Sequence, residues 1–281
     1  MLPLPAKAKI IYETDSFYHH IVVRENSEGK RFLAFNRVRG DQSAVLPGHP
    51  EVLTFAYTKT ALVGLCFLEK DPKRILYIGV GAGTIPAYTR LLFPKTHMDL
   101  VEIDPEVSRV AVEYFEFKPD ANMQSSAMDG RVFLRTTQHN YDFIILDAYN
   151  DSSVPFHLTT KEFLELCKER LKPGGVLASN VWSQEMNRYF HAQISTYKHV
   201  FGNLHLFQSQ GSGNYIFVVT KEADWPFSKE GLERRARELP IPPGSLDLPA
   251  IIQKEYMPHP RIREEVLTDD FAPVNILRYV D

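Results

Sequence analysis

RILYIGVGAGTIPAYTRLLFPKTHMDLVEID, residues 74–104, is the stretch from which the rest of the chain is read. An apolar run, Ile75 to Ile78, enters a glycine cluster at Gly79, Gly81 and Gly83. A helical stretch follows, and a second apolar run ends in Glu102, about 20 residues past the last glycine. Strand, glycine turn, helix, strand and terminal carboxylate in that order make a nucleotide-binding βαβ unit. The glycines let the backbone turn sharply and approach a ligand, and the first turn of the helix offers free N–H groups. A carboxylate at the tip of the second strand accepts two hydrogen bonds from a ribose diol. In GVGAG the third glycine comes one residue earlier than in GxGxxG, and no Lys-Ser/Thr pair follows. That spacing disfavours a dinucleotide or a triphosphate and fits an adenosyl-sulfonium compound.

Before this unit, Lys9 to Phe35 has β-branched and aromatic runs around a Ser27–Lys30 turn, which predicts a β-hairpin or small meander. Gly40 to Pro50 reads as a loop, and helical spacing of apolar residues predicts a helix from about Pro50 to Leu68. After the unit, Asp104 caps a helix with Pro105 at its first position. A short strand near Val132 to Leu134, a strand over Phe143 to Leu146, a helix from Thr160 to Leu171 and a strand over Val176 to Asn180 follow. Strands alternating with helices predict a parallel, doubly wound sheet. Met186 to Phe201 reads as helix, Leu204 to Phe207 and Ile216 to Val219 as closing strands, and Ser228 to Leu239 as a last helix. The expected division is an N-terminal β region with its helix (1–68), a Rossmann-like nucleoside-binding domain (69–222) and a C-terminal extension packing on it (223–281).

At 281 residues, 44% hydrophobic and 24% charged, the chain has the composition of an ordinary globular protein. A net charge of −3 gives no steer towards nucleic acid or membrane. The two cysteines, Cys66 and Cys167, cannot build a disulfide framework and suit a reducing compartment; both read as small buried hydrophobes. The N-terminus lacks a secretory apolar core and no apolar run reaches the ~18 residues of a membrane span, so a cytoplasmic location is expected.

Two later carboxylates extend the site. Asp129 with Gly130, placed before the third strand, can meet the exocyclic amine and a ring nitrogen of adenine. Asp147 ends the apolar FIIL run, and the carboxyl ends of strands are where ligands and chemistry sit in an open α/β sheet. His19 and His20, read as strand neighbours, point to opposite faces and cannot share a metal; no metal is expected. His157 reads as a residue that orders its loop or, alternatively, as a general base. Asp269 and Asp270 read as an exposed turn or as a contribution to the site.

These residues resemble the spermidine synthase family, the polyamine aminopropyltransferases on the class I methyltransferase fold. The resemblance is carried by YIGVGAG, LVEIDPEV, DGRVFL, YDFIILDAYND, PFHLTTKEF and LTDDFAP, with FYHHIVV similar to the family's Tyr-Gln strand. It implies an α/β, Rossmann-like doubly wound sheet of the class I methyltransferase type with a small N-terminal β-rich region. It also implies a transferase of polyamine biosynthesis that moves an aminopropyl group from decarboxylated S-adenosylmethionine to an amine, releasing methylthioadenosine. Glu102 would then hold the ribose, Asp129 and Gly130 the adenine, and Asp147 would take the proton of the attacking amine. Association into a homodimer or higher homo-oligomer is a further implication.

The departures from the family pattern fall on the acceptor half. Ala82 stands where the family's glycine loop has an aspartate that grips the aminopropyl ammonium. The DxxD pair becomes Asp147 and Asn150, with Asp151 one residue late. His19 replaces the glutamine of the Tyr-Gln strand, and Tyr57-Thr58-Lys59 replaces Tyr-His/Gln-Glu. His19, Tyr57, Asn150, Asp151 and Trp182 are the expected lining of the acceptor pocket. Residues 1–60 carry eight basic against six acidic side chains, and unpaired cations facing the pocket would repel a diamine. Two rivals stay open: a methyltransferase using intact S-adenosylmethionine, and a non-catalytic nucleoside-binding homologue.

Overall fold

In the computed structural model, which describes residues 8–37, 40–149, 154–224, 226, 228–257 and 264–270, the N-terminal β signals become a four-stranded antiparallel sheet. Its strands β1 (Lys9–Asp15), β2 (His20–Glu25), β3 (Arg31–Ala34) and β4 (Ser43–Val45) lie in sequential order. Gly29, in the left-handed region, closes the β2–β3 turn. The expected helix from Pro50 begins six residues later. It is α1 (Ala56–Ala61), which tightens at once into a 3-10 helix over Leu62–Phe67. Gly64 within it lies against Phe143, whose ring would stand 2.6 Å from an added Cβ.

The βαβ unit forms as read: β5 (Arg74–Ile78), α2 (Thr84–Leu92) and β6 (His97–Glu102). Next comes α3 (Pro105–Tyr114), with Asp104 accepting from the Glu106 N–H. The third strand is not at Val132 to Leu134. It is β7 (Met123–Ala127), and Val132 to Leu134 lie inside α4 (Gly130–Thr136). The cause is Asp129: its Oδ1 accepts the N–H groups of Arg131 and Val132 and so starts a helix there. Asp129 therefore follows the third strand instead of preceding it.

The chain continues through β8 (Tyr141–Leu146), a short 3-10 turn at Phe156–Leu158, α5 (Lys161–Arg170), β9 (Leu171–Trp182), α6 (Phe190–Phe201), β10 (His205–Gln208) and β11 (Asn214–Thr220). After α7 (Lys229–Glu238), an unforeseen α8 (Leu248–Glu255) runs into the two-residue β12 (Tyr256–Met257). The eight-stranded sheet has the order β12-β10-β11-β9-β8-β5-β6-β7. Its β9-β8-β5-β6-β7 part is parallel, whereas β11, β10 and β12 run antiparallel, so the sheet is mixed.

Successive residues of the central strands feed two apolar layers. Ile75, Tyr77, Phe143 and Ile145 pack with α2, the first 3-10 helix, α7 and α8. Leu76, Ile78, Ile144 and Leu146 pack with α4, α5 and α6. This is why β5 and β8 read as unbroken apolar runs: both faces are covered. Cys66 and Cys167 are free, buried thiols, one in each layer. A third apolar cluster joins the N-terminal sheet (Ile21, Val23, Leu33, Phe35) to α3 (Val107, Val110) and to Ala82.

Candidate active site

Strand β5 has β6 on one side and β8 on the other, so the chain leaves their carboxyl ends in opposite directions and opens a crevice there. Gly79 begins the turn out of β5. Its N–H donates to the carbonyl of Val101 at 2.8 Å, and its φ of 86° with a Cβ position only 2.2 Å from the carbonyl oxygen of Asp147 admits no side chain. Gly81 and Gly83 complete the turn beneath Ser43 of the N-terminal sheet and against Phe117.

Glu102 closes the loop from below. Its Oε2 accepts the N–H groups of Val80 (3.0 Å) and Gly81 (3.3 Å), and Oε1 accepts that of Asp104 (3.2 Å). Desolvation pushes its carboxyl above the ordinary range, and these backbone bonds oppose the shift. Three of its four acceptor positions are thus filled from within, leaving one lone pair on Oε1. Asp129 is similarly engaged: Oδ1 caps α4, and Oδ2 meets Nε2 of His157 at 2.6 Å. The Asp129 carboxyl lies below its usual range because the His157 bond and the two backbone N–H groups outweigh its desolvation. Gly130 is required by packing, since an added Cβ would fall 2.3 Å from a methyl of Ile78.

Asp147 is the first residue beyond β8, and its N–H donates to the carbonyl of Ile78 at 2.8 Å. Its Oδ1 accepts from Nδ2 of Asn180 at 2.8 Å, and the Tyr57 hydroxyl, which donates to the carbonyl of Gln42 at 3.2 Å, lies close enough to the carboxyl to favour its charged form. The group is partly buried, and its desolvation, with the negative charge of Glu102 adding to it, pushes the carboxyl up to about 7. Burial and the same carboxylate hold the Tyr57 phenol well above its usual value, so it stays a hydrogen-bond donor. Tyr149 stacks on Trp182 with ring centroids 4.8 Å apart, and its hydroxyl donates to the carbonyl of Asn180 at 2.6 Å. Tyr57, Tyr149 and Trp182 thus meet around Asp147 and Asn180.

Of the other expected acceptor residues, the described one, His19, lies elsewhere. His19 lies in the β1–β2 connection, stacked on Phe35 at 3.8 Å, within a turn whose Ser16 hydroxyl donates to Asp104. Asn150 and Asp151 lie outside the described residues. Lys59 lines a separate cavity of about 690 Å3 with Gln210, Lys254 and Glu255, none of which is among the side chains around Asp147. Three of the eight basic residues of the N-terminal region are paired: Arg24 with Asp41, Arg31 with Glu25 and Arg37 with Glu13. Ala82, 1% exposed, faces the aliphatic cluster under the N-terminal sheet. Asn180 and Tyr149 belong to the site although the sequence did not single them out; the available signal was a polar residue ending the apolar run VLAS beside the strand that delivers Asp147.

A model of the spermine/spermidine synthase domain matches residues 54–221. Across 97% of this chain and 92% of its own length, a polyamine aminopropyltransferase of Vibrio vulnificus is 35% identical. The chain belongs to the spermine/spermidine synthase family. It is a spermidine-synthase-like transferase. A spermidine synthase solved in complex with the transition-state analogue AdoDATO has the same fold, with a TM-score of 0.71, 20% identity and coverage of 89% of this chain and 86% of that one. Human methyltransferase-like protein 13, solved with SAH, shares the fold at a TM-score of 0.61 and 23% identity, covering 73% of this chain and 96% of that one. The synthase family and the class I methyltransferases therefore meet in this sheet.

Proposed function

We propose that this spermidine-synthase-like transferase moves the aminopropyl group of decarboxylated S-adenosylmethionine to a small amine. The observation that carries the reading is Asp147: a carboxylate at the carboxyl end of β8, beside the glycine turn, with its proton affinity raised to about 7. An amine in water is mostly protonated and must show a lone pair to attack. A base poised near neutral pH takes that proton with little driving force lost in either direction. The amine nitrogen then bonds to the aminopropyl carbon, the carbon–sulfur bond breaks, and its electron pair stays on sulfur as the neutral thioether of methylthioadenosine.

Gly79, Gly81 and Gly83 give the adenosyl group close access to the backbone. The free lone pair of Glu102 Oε1 accepts one ribose hydroxyl, and a second is accepted as the 3.3 Å contact to Gly81 gives way. Asp129 Oδ2 retains a lone pair for the adenine amine, beside Gly130. Tyr57, Tyr149 and Trp182 wall the acceptor side with aromatic surface, which suits the methylene chain of an amine, and Asn150 and Asp151 are proposed to complete that side. The transfer balances without a metal. Two free, buried thiols fit a reducing cytoplasm, and among the described residues no helix is long and apolar enough to cross a membrane.

Methyl transfer from intact S-adenosylmethionine is the second reading. It is favoured by the fold shared with a methyltransferase. Calorimetry with both sulfonium compounds separates the two. Tighter binding of the decarboxylated form supports aminopropyl transfer, tighter binding of the intact form supports methyl transfer, and binding of neither sinks both. Asp147→Asn is expected to lower turnover by about 100-fold or more while leaving donor affinity within a few-fold; unchanged turnover would remove Asp147 from the mechanism.

A further inference from the structure

The register of three neighbouring strands brings a second asparagine to the catalytic carboxylate. Leu146 of β8 pairs with Ser179 of β9, so Asp147, just beyond β8, lies beside Asn180 of β9. On the other flank, Asn180 of β9 pairs with Ile216 of β11, and Trp182 pairs with Asn214. Asn214 is therefore the diagonal neighbour of Asn180, two residues along on the same face. Its Nδ2 donates to Oδ1 of Asn180 at 2.8 Å, and Nδ2 of Asn180 donates to Oδ1 of Asp147 at 2.8 Å.

The direction of this chain is fixed by chemistry. An ionised carboxylate only accepts, so Asn180 must turn its NH2 to Asp147 and its carbonyl away. That carbonyl is then held by the amide of Asn214. If the donor were lost, only the carboxylate itself would hold the Asn180 amide, which could turn over to accept from Asp147 whenever that group is protonated. The backbone at both ends is already tied. Asn180 O accepts the Tyr149 hydroxyl, Asn214 O accepts the N–H of Ser209 at 3.0 Å, and Gly213 O accepts that of Ser183 at 2.8 Å. Side-chain orientation is thus the remaining freedom, and Asn214 removes it.

We infer that Asn214 is a positioning residue of the transferase, acting through Asn180 to hold the Asp147 carboxylate oriented and ready to accept the proton of the attacking amine. The inference rests on the reading of Asp147 as that base. Besides Asn180, the titratable groups bearing on Asp147 are Tyr57 of α1, Tyr149 just beyond β8 and Glu102 of β6. Asn214 supplies no charge of its own, so its effect is exerted through the Asn180 bond.

The test is a carboxyl-carbon NMR titration of Asp147 in the full-length protein, with the resonance assigned by its absence in Asp147→Asn. Wild type, Asn214→Leu and Asn214→Asp are compared, and calorimetry with decarboxylated S-adenosylmethionine runs alongside. Asn214→Leu is expected to raise the Asp147 midpoint by about half a unit to one unit, and Asn214→Asp by more, because an ionised aspartate cannot donate to Asn180 and adds like charge. Donor affinity should stay within about twofold, and the acid limb of the rate profile should move with the midpoint. Equal midpoints in wild type and both variants overturn the proposal, as does an unmoved midpoint accompanied by loss of donor binding and thermal stability, which would make Asn214 merely structural. If Asn214→Leu does not fold, the Asn214→Asp midpoint decides alone. A wild-type midpoint near 4, or full turnover in Asp147→Asn, would instead defeat the reading of Asp147 on which the relay depends.

Discussion

At the residue scale, the Asp147 carboxylate, proposed as the base, costs the fold stability, and the sign of that cost can be worked out. Burial raises the Asp147 carboxyl from its ordinary value to about 7 in the folded chain. The folded state therefore binds its proton more tightly than the unfolded state does. The favourable contribution is fully present below the unfolded value near 4 and is lost as pH rises through 4 to 7. Above pH 7 the folded protein holds a charge that its surroundings disfavour. Asp147→Asn keeps the shape and accepts the Asn180 bond without the charge, so the unliganded variant should melt a few degrees higher than wild type at pH 8. At pH 4.5 the gap should shrink or vanish. Calorimetric melting at the two pH values checks this; equal melting points at pH 8 would mean that Asp147 is not strained by ionisation. Asp147 was visible in the sequence because a lone carboxylate ending an apolar run is conspicuous. Asn180 and Asn214 were not, because their meaning depends on which strands lie side by side and in what register.

At the element scale, what could be read was what leaves a local signature. The glycine turn, α2, the Asp104 cap of α3 and the apolar strands β5 and β8 were all legible, since covered faces and capped ends impose composition directly. The third strand was not. As an edge strand, β7 reads MQSSA with only Met123 buried, so no apolar run marks it. The nearby VFL run drew the assignment, although Asp129 caps a helix too short to display a 3.6-residue period. Helix α8 was hidden by proline, yet Asp247 caps it with Pro249 inside the first turn. The same scale decides what Ala82 means. The sequence suggested a missing clamp on the substrate, but the residue is a contact between the glycine turn and the N-terminal sheet, packed with Ile21, Val23, Leu33 and Phe35. Ala82→Asp should therefore cost about 3 kcal/mol or more, by burying a carboxylate among aliphatic side chains with nothing to pair it. Chemical denaturation measures the loss. A variant of wild-type stability that gains preference for the decarboxylated donor would show instead that the side chain reaches the crevice.

At the scale of the whole molecule, the N-terminal sheet and residues 264–270 brace the proposed nucleoside site from two sides. The N-terminal sheet roofs the glycine turn, with Ser43 over Gly81 and Ser16 bonded to Asp104. At the other end, residues 264–270 cross the helices of the opposite face. Glu264 N–H donates to Ser195 and that of Leu267 to Thr196; the Lys161 N–H donates to Leu267 O, and the N–H of Asp269 donates to Glu162. Asp269 then makes a two-pronged pair with Arg131 and accepts the Thr160 hydroxyl. Arg131 also donates to the carbonyl of His157, the residue that holds Asp129. The C-terminal segment is thereby connected, through one buried guanidinium, to the group proposed to read adenine. Asp269→Ala leaves Arg131, whose side chain is 10% exposed, without its carboxylate. Because Asp269 itself is 39% exposed and solvent screens its half of the pair, the expected cost is only about 1–2 kcal/mol. The Asp269 carboxyl sits below its usual range, so the stabilisation is present above the unfolded value and fades as pH falls through the folded one; the variant and wild type should converge in acid. Released from Arg131, the loop carrying His157 should hold Asp129 less firmly, and adenosyl-donor affinity should weaken several-fold without a change in the acid limb set by Asp147. Donor calorimetry and melting curves at pH 7.5 and 4 read both effects. A stability loss with unaltered donor affinity would confine the C-terminal segment to bracing α4 and α5, whereas loss of both ties it to the nucleoside site.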